Sequence, residues 1–335
     1  MIFCAMIPRT DSALHEHSWQ WHLQNGIRNT NDLAEALGIE VDEVPTDFPL
    51  LIPLPYLNRI TKGDTKDPLL LQVLPRKEEN DISTGFSTDP LMEIPYAHEP
   101  GIIHKYKGRI LIITTGACAI NCRYCFRRHF PYNDFQLSKK DWSSVTSYVE
   151  QDPSIREVIL SGGDPLVMPD NRLSELAQAI GSLTQITNLR IHTRLPVVIP
   201  QRINNELLAW VNQSKLHIVF VIHANHAKEL DVHVERAINR LRSANVTVLN
   251  QSVLLKGVND NIGSLVDLSW RLSQAGVIPY YLHALDKVAG AAHYDVSDKA
   301  GAELTRQMRD QLPGYLVPKL VRETPGADAK CEIKL

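Results

Sequence analysis

Three cysteines stand close together in the middle of the chain, at Cys118, Cys122 and Cys125. Their spacing is C-x3-C-x2-C, and they are three of only 5 cysteines among 335 residues. A [4Fe–4S] cluster that only transfers electrons has four thiolate ligands, and a closed structural zinc site also has four ligands. Three thiolates leave one iron with an open position, which can bind a substrate or cosubstrate. The pattern therefore indicates a catalytic iron–sulfur cluster.

Two other interpretations of these cysteines are weaker but stay open. A zinc site with His129 as its fourth ligand is compatible with the ligand types. A disulfide with one free thiol is disfavoured, because the cysteines lie too close together to join distant loops. The N-terminal run Met1–Pro8 is apolar but short, and Arg9 and Asp11 follow it. We therefore expect neither a signal peptide nor a membrane span.

The composition is typical of a globular protein. Hydrophobic residues make up 44% of the chain and charged residues 22%, and the length suits one large α/β domain with additions. The net charge of −3 gives no electrostatic reason to expect a nucleic-acid partner. We expect a cytoplasmic protein with no membrane partner, in a compartment where thiols stay reduced and clusters can be assembled.

From residue 109 onward, strand patterns alternate with amphipathic helix patterns. The predicted strands are Arg109–Thr114, Glu157–Ser161, Leu189–His192, His217–His223, Thr247–Val253 and Ile278–Leu282. The predicted helices are Asp141–Gln151, Asn171–Ser182, Asn204–Asn212, Asp231–Ser243, Ile262–Ala275 and Asp298–Gln311. These repeats indicate parallel βαβ units. Polar residues recur at the carboxyl ends of the strands, where barrel enzymes place their sites, so the predicted fold is an α/β, partial TIM-like (β/α)6 barrel.

The first part of the chain lacks this alternation, and nothing in it indicates catalysis. It predicts helices at His15–Gly26 and Asn31–Leu37, the second capped by the hydroxyl of Thr30. Proline-rich loops follow these helices. The sequence therefore predicts three parts: a mostly helical N-terminal lead-in at 1–96, the barrel at 97–312, and a C-terminal segment at 313–335 that begins with a strand pattern at Tyr315–Val321.

Five segments resemble the lysine 2,3-aminomutases, which are PLP-dependent radical S-adenosylmethionine (SAM) enzymes, and they occur in the family's order. The segments are GACAINCRYCFRRHFPY (116–132), LSGGDPL (160–166), RLPVVIPQRI (194–203), NQSVLLKGVND (250–260) and PYYLHALDKVAGAAHY (279–294). The cysteine spacing alone marks the radical SAM superfamily, whereas the ordered set is highly specific. The short chain, the lead-in and FRRHFPY are most similar to the branch associated with elongation factor P.

This resemblance implies an activity, its cofactors and its partners. The activity is isomerisation of (S)-α-lysine to (R)-β-lysine by radical migration of an amino group. The cofactors are a [4Fe–4S] cluster on the three cysteines, SAM and pyridoxal 5′-phosphate (PLP). The partners are free L-lysine, an external electron donor and, functionally, elongation factor P with its β-lysine ligase. An aminomutase for another amino acid, a radical SAM enzyme without PLP and a non-enzymatic iron–sulfur or zinc scaffold remain alternatives.

The resemblance also implies which residues bind PLP. Lys330, which follows Pro325-Gly326, is expected to bind the PLP aldehyde covalently. The glycine-rich run before the family's lysine is reduced here to Gly-Ala-Asp-Ala. Arg109 and Lys105 are expected to hold the PLP phosphate. The family usually has an arginine at the position of Lys105, and arginine is the stronger phosphate clamp.

Substrate-binding residues follow from the same resemblance. Arg127 is expected to bind the carboxylate of lysine, and Asp286 and Glu323 its distal ammonium. The family has an aspartate at the position of Glu323, so the extra methylene would displace that carboxylate by roughly one C–C bond, and misplaced groups in a closed site are costly.

For SAM, the glycine pair Gly162 and Gly163 is expected to approach the methionine ammonium closely, because glycine has no side chain to block contact with the backbone. Asp164 could add negative charge beside them. The remaining residues expected to line SAM or PLP are Gln251, His223 and Arg194.

Overall fold

The computed structural model describes residues 16–99, 101–135 and 142–334, so the predicted helix starts at His15 and Asp141 lie outside the described residues. The α-helices, α1 to α11, are Trp19–Gln24, Thr30–Leu37, Leu54–Leu57, Tyr132–Phe135, Ser143–Gln151, Asp170–Gly181, Leu195–Val198, Asn205–Gln213, Val232–Ser243, Ile262–Gln274 and Asp298–Gln311. The strands, β1 to β10, are Ala97–Glu99, Ile102–Tyr106, Arg109–Thr115, Glu157–Gly162, Asn188–Thr193, His217–Ile222, Thr247–Val253, Ile278–His283, Lys319–Arg322 and Cys331–Glu332.

All ten strands belong to one sheet, in which they are ordered as in the chain. Strands β3 to β9 are parallel, whereas β1, β2 and β10 pair antiparallel at the two edges. Lys105 on β2 lies 2.9 Å from Glu323, the residue after β9, so the two ends of the sheet curve toward each other. The fold is a partial (β/α)6 barrel with edge strands, which confirms the predicted fold class.

The predicted strands and helices of the barrel are all present, with ends that differ by one or two residues. The strand prediction at Tyr315–Val321 was wrong. This stretch divides into a 3-10 turn at Gly314–Leu316 and the strand Lys319–Arg322. Pro318 separates the two, and proline has no N–H for the ladder of a sheet. The β1–β2 hairpin and β10 were not predicted.

The lead-in departs from its prediction in two details. Helix α1 is shorter than predicted and is capped by Ser18, whose Oγ accepts a hydrogen bond from the Trp21 N–H. The cap of α2 is Asn29 and not Thr30: the Asn29 Oδ1 accepts from the Asp32 N–H at 2.8 Å. Asparagine is the preferred cap of the two, and Thr30 becomes the first helical residue.

The lead-in shares its apolar core with the barrel. Leu33, Tyr56 and Leu69 of the lead-in belong to the same buried cluster as Ile110 and Phe220 of the sheet. Burial of this kind contributes about 25 cal/mol per Å2 of apolar surface, so the lead-in is held firmly against the barrel. None of the described helices combines the length and the apolar character needed to cross a bilayer.

Candidate active site

The three cysteines lie in the loop that follows β3, and all are free thiols that are partly exposed. The loop is fixed by backbone hydrogen bonds, among them Arg123 N–H to the Gln72 carbonyl at 2.9 Å and Cys125 N–H to the Cys122 carbonyl at 3.0 Å. Burial, reinforced by Cys122, raises the pKa of Cys125 to about 11. Burial and then the charge of Cys125 raise the pKa of Cys118. The sulfur atoms are therefore close enough to repel one another as thiolates.

The donors in this loop fit an iron–sulfur cluster. Among the described residues, no three His, Cys, Asp or Glu side chains converge as they would around one metal ion. A cubane cluster needs no such convergence, because each thiolate binds a different iron. The Nε2 of His129, the alternative zinc ligand, lies 3.2 Å from the Ala289 carbonyl. The donor set therefore suits a cluster held by three thiolates.

The glycine pair at the end of β4 packs against the cysteine loop. Gly162 has φ +121°, and a Cβ there would lie 2.5 Å from the Thr115 carbonyl oxygen. A Cβ on Gly163 would overlap the carbonyl oxygen of Ala117, and the Gly163 N–H donates to the Thr115 carbonyl at 2.6 Å. The absence of side chains is thus required for the loop to pack on β4. A contact of this pair with SAM stays a prediction.

Asp164 connects the ends of two strands. Its carboxylate is buried and accepts hydrogen bonds from the Leu166 N–H at 3.0 Å, the Thr193 hydroxyl at 2.7 Å and the Arg194 N–H at 2.7 Å. Burial raises its pKa, and these hydrogen bonds oppose that effect. The carboxylate thus joins the turn after β4 to the end of β5, and its predicted role of adding charge beside SAM stays a prediction.

Arg194 lies beside a predicted cluster ligand. Its Nη1 is 2.6 Å from the Cys122 Sγ, and its Nη2 donates to Gln72 at 2.7 Å and to Glu229 at 2.8 Å. Its guanidinium is buried together with the Glu229 carboxylate. The structure thus places Arg194 at the cysteine loop, while its predicted contact with SAM or PLP stays a prediction.

The other two predicted lining residues lie after β6 and on β7, two neighbouring strands of the barrel. The His223 Nε2 is 2.9 Å from the Tyr124 hydroxyl, and the two rings stack. Burial and then Arg194 lower the pKa of His223 to about 3, so this imidazole is neutral at physiological pH. Gln251 lies half-buried on β7, opposite Tyr281 of β8.

Arg127 is held by a buried carboxylate from the lead-in. Its Nε and Nη2 donate to the two oxygens of Glu93, both at 2.7 Å, and the two side chains are 5% and 7% exposed. Its Nη1 donates to the Ser161 hydroxyl at 3.0 Å. Such bidentate pairs combine strength with a fixed orientation. The guanidinium is therefore locked in place before any ligand binds.

Three other predicted residues meet in a second group. The Lys330 Nζ and the Lys105 Nζ each lie 2.9 Å from a different oxygen of Glu323. Burial favours the neutral carboxyl, yet Lys330 and Lys105 hold the pKa of Glu323 below its ordinary value. Lys105 and Glu323, two of the positions where the sequence predicts a departure from the family pattern, are thus direct partners.

Asp286 lies near this group, just after β8. Burial raises its pKa to about 7, while Lys330 favours the carboxylate and Glu323 and Glu93 oppose it. The Asp286 carboxyl therefore interacts electrostatically with Lys330 and Glu323, and also with Glu93, the acid that binds Arg127. Its carboxyl carries only part of a charge at neutral pH, so a cation brought next to it would draw out the proton.

Arg109, the first residue of β3, has its guanidinium 4.7 Å above the ring of Tyr106. Burial and then Glu323 raise the pKa of Tyr106, which places this phenol beside the Glu323 carboxylate. Arg109 and Lys105 both lie against the Tyr106 ring, and Lys105 and Lys330 share Glu323, so these residues carry an excess of positive charge. That excess suits a phosphate group.

Known proteins match the chain over nearly its whole length. The radical SAM superfamily matches residues 112–268. The L-lysine 2,3-aminomutase of Haemophilus influenzae is 43% identical over 97% of this chain and 98% of that protein. The chain belongs to the L-lysine 2,3-aminomutase family. The Escherichia coli (strain K12) enzyme of the same name is 44% identical over 95% of this chain and 94% of its own. The L-lysine 2,3-aminomutase of Clostridium subterminale is 31% identical over 95% of this chain and 78% of that protein.

As a member of the L-lysine 2,3-aminomutase family, the protein is a radical SAM isomerase. The cofactors of this family are a [4Fe–4S] cluster, SAM and PLP, as the sequence predicted. The structure brings the predicted site residues together in two groups. One surrounds the cysteine loop and contains Cys118, Cys122, Cys125, Arg127, Gly162, Gly163, Asp164 and Arg194. The other contains Lys105, Arg109, Asp286, Glu323 and Lys330.

Sequence reasoning missed the buried acids that position this aminomutase's arginines. Glu79 and Glu93 come from the lead-in, where nothing indicated a role in a site, and Glu229 follows β6. All three are buried. Their distance along the chain from their arginine partners hid the pairing. The one available signal was the number of arginines in and after the cysteine loop, since buried guanidinium groups need buried anions.

Proposed function

We propose that the protein converts (S)-α-lysine to (R)-β-lysine by radical 1,2-amino migration. The observation that carries the proposal is the placement of charge along the site. A guanidinium, Arg127, belongs to the group of residues at the cysteine loop, and two acids, Asp286 and Glu323, belong to the group around Lys330. Lysine has the complementary pattern, with a carboxylate at one end and an ammonium at the other. An acidic amino acid would bring its side-chain carboxylate against the two acids.

We propose Cys118, Cys122 and Cys125 as the ligands of the cluster, and Lys330 as the lysine that holds PLP. When bound, the reduced cluster and SAM supply a hydrogen-abstracting radical, and PLP supplies the conjugated system that carries the migrating nitrogen. Arg109 and Lys105 provide positive charge for the PLP phosphate. The glycine pair Gly162-Gly163 leaves the backbone at the end of β4 open to SAM.

The protein's own residues fix the geometry of the substrate. Arg127 anchors the carboxylate, and Asp286 and Glu323 anchor the distal ammonium. Holding both ends restrains the carbons between them, and alignment of this kind can supply several kcal/mol of the barrier, on the order of 7–11 at the extreme. Asp286 must release its proton to bind the ammonium, which makes binding favourable above the pKa of Asp286.

The experiment is an anaerobic incubation of reconstituted protein with SAM, PLP, a strong reductant and L-lysine, followed by NMR of the amino acid. β-Lysine should appear with the wild type and with Lys334→Ala, which changes an exposed lysine of the same segment. Cys122→Ala should lose the cluster and SAM cleavage. Lys330→Ala should keep the cluster and SAM cleavage but lose the PLP absorbance and lysine conversion.

Two results would overturn the proposal. SAM cleavage with lysine left unchanged would show that the radical machinery is present but the substrate is another molecule, and other amino acids would then be tested. No SAM cleavage in protein that holds its cluster would contradict the enzymatic role of this chain altogether.

We further propose that the β-lysine serves to modify elongation factor P in the cytoplasm. The support is the resemblance of the lead-in and of the FRRHFPY segment to the branch associated with that factor. A strain without this enzyme should contain elongation factor P that lacks the β-lysyl group by mass spectrometry. Wild-type enzyme should restore the modification and Cys122→Ala should not. Full modification in the deletion strain would contradict this role.

A further inference from the structure

We propose that Glu93 is a positioning residue that orients Arg127 for the substrate carboxylate, so that the lead-in segment Leu91–Glu93 forms part of the substrate site. This inference rests on the proposed function, because it assumes that Arg127 binds a carboxylate. Glu93 lies outside the barrel and 34 residues before Arg127 along the chain.

The geometry of the pair determines which edge of Arg127 is free. Glu93 occupies the edge formed by Nε and Nη2, with both contacts at 2.7 Å. On the other side, Nη1 donates to the Ser161 hydroxyl at 3.0 Å and approaches the Gly162 carbonyl at 3.5 Å. A guanidinium has five N–H donors in a planar fork. The edge formed by Nη1 and Nη2 therefore still has a donor on Nη2 that these contacts do not use.

The segment Leu91–Glu93 contacts residues of both groups, Lys105 and Arg127. Met92 has φ +50°, a left-handed conformation that is uncommon for residues other than glycine. On one side of it, the Leu91 carbonyl accepts from the Lys105 Nζ at 3.3 Å. On the other side, Glu93 binds Arg127, and its own N–H donates to the Asp89 carboxylate at 3.2 Å. Strained backbone of this kind persists where surrounding contacts hold it.

Glu93 could instead fill the place of the substrate carboxylate and leave when substrate binds. The burial of the pair argues against that. In the part of the chain that the structure describes, the ion-pair partner of Glu93 is Arg127, so a displaced Glu93 would become a buried, unpaired charge. Leaving such a charge is strongly destabilising. We therefore infer that Glu93 stays and that the substrate carboxylate binds the free edge.

The test compares two ligands that differ in one charge. L-Lysine has the carboxylate that Arg127 would bind, and L-lysinamide lacks it. Their dissociation constants are measured by calorimetry on cluster- and PLP-reconstituted protein with SAM but without reductant, so that binding is read without turnover. Glu93→Gln keeps the size of the side chain but removes the charge. Glu99→Gln, an exposed acid nearby, is the matched control.

The wild type should prefer L-lysine to L-lysinamide, and Glu93→Gln should reduce this preference by about 10- to 100-fold, the range expected for hydrogen bonds to charged groups. Glu99→Gln should keep the preference. The double variant Glu93→Gln with Arg127→Gln should be no worse than Arg127→Gln alone, because Glu93 acts through Arg127. If Glu93→Gln folds poorly, Glu93→Asp keeps the charge and should show an intermediate loss.

Two results would overturn the inference. An unchanged preference in Glu93→Gln would show that Glu93 has only a structural role. Tighter binding of L-lysine in that variant would show that Glu93 competes with the substrate. Failure of the wild type to bind L-lysine at all would instead contradict the proposed function, so the two failures are distinguishable.

Discussion

On the cluster side of the site, the buried arginines pair with buried glutamates: Arg127 with Glu93, Arg194 with Glu229, and both Arg123 and Arg128 with Glu79. At the Lys330 end, a single carboxylate, Glu323, is shared by two lysines, and Arg109 adds a third cation nearby. Each of these arginines on the cluster side is therefore paired without ligands, whereas the cations at the Lys330 end outnumber the carboxylate that they share.

This difference separates two kinds of residue. Paired charges on the cluster side stabilise the fold and fix the geometry of the loop before cofactors bind. The unbalanced charges at the Lys330 end are suited to the PLP phosphate and to an ionic substrate, whose binding would complete the balance. Substitutions on the cluster side should therefore reduce stability first, and substitutions at the Lys330 end should reduce ligand affinity first.

The largest effect is expected for Glu79→Ala on the cluster side. Glu79 accepts from the Arg123 Nε at 2.8 Å and from the Arg128 Nη2 at 2.9 Å, so its loss leaves two buried cations without a partner. We expect the free energy of unfolding to fall by about 3–5 kcal/mol, measured by chemical denaturation. Glu78→Ala, an exposed neighbour, should change it by less than about 0.5 kcal/mol. A loss no larger than that of Glu323→Ala would contradict the contrast between the two ends.

The pH dependence of lysine binding tests the charge state at the Lys330 end. The pKa of Asp286 is raised to about 7, whereas the ε-ammonium of lysine stays charged well above that pH. Below pH 7 the carboxyl must lose a proton before it can pair, so the affinity should fall by about tenfold per pH unit. Calorimetry between pH 5 and pH 8, roughly the span around this pKa, should show proton release on binding.

Asp286→Asn should bind lysine weakly and should remove this pH dependence. Asp310→Asn, which changes an exposed acid of the last helix, should retain it. A wild-type affinity that is flat from pH 5 to pH 8 would mean that Asp286 does not contact the ammonium, and the charge pattern that supports lysine as substrate would lose one of its two acids.

The smallest effect is expected from substitutions that keep the charges of the paired residues Lys105 and Glu323 but change their side-chain lengths. Lys105→Arg and Glu323→Asp should each weaken PLP or lysine binding several-fold, because each alters the 2.9 Å contact. The double variant should recover much of the loss, with a coupling of about 0.5–3 kcal/mol. Absorbance titration with PLP on the wild type, the two single variants and the double variant measures this coupling. Additive losses would show that the two exchanges are independent.

Local patterns made the barrel predictable from the sequence. Each of the parallel strands β3 to β8 is a short apolar run, and each barrel helix has one apolar face, so these elements were found within one or two residues of their ends. The cysteine loop is equally local, since its three ligands lie within eight residues of one another. The choice between the caps Asn29 and Thr30 was less certain, because both residue types cap helices well.

Contacts between distant parts of the chain were not predictable. The pairing of β1 with β2, the ion pair of Glu93 with Arg127 and the contact of Asp164 with Thr193 depend on which segments meet after folding. Single residues of these types give no periodic signal. The lead-in therefore looked like a cover for the barrel, whereas its buried acids contribute to the architecture of the site.

The most direct test of the account uses L-lysine labelled with 13C at C3 and with 15N at the α-amino group. The reconstituted enzyme should yield β-lysine in which the 15N is bonded to the 13C, seen as a one-bond coupling in the NMR spectrum. Dilution with unlabelled lysine should leave this coupling intact, because the nitrogen migrates within one molecule. Loss of the 15N label to solvent ammonia, or no β-lysine from protein that cleaves SAM, would contradict the account.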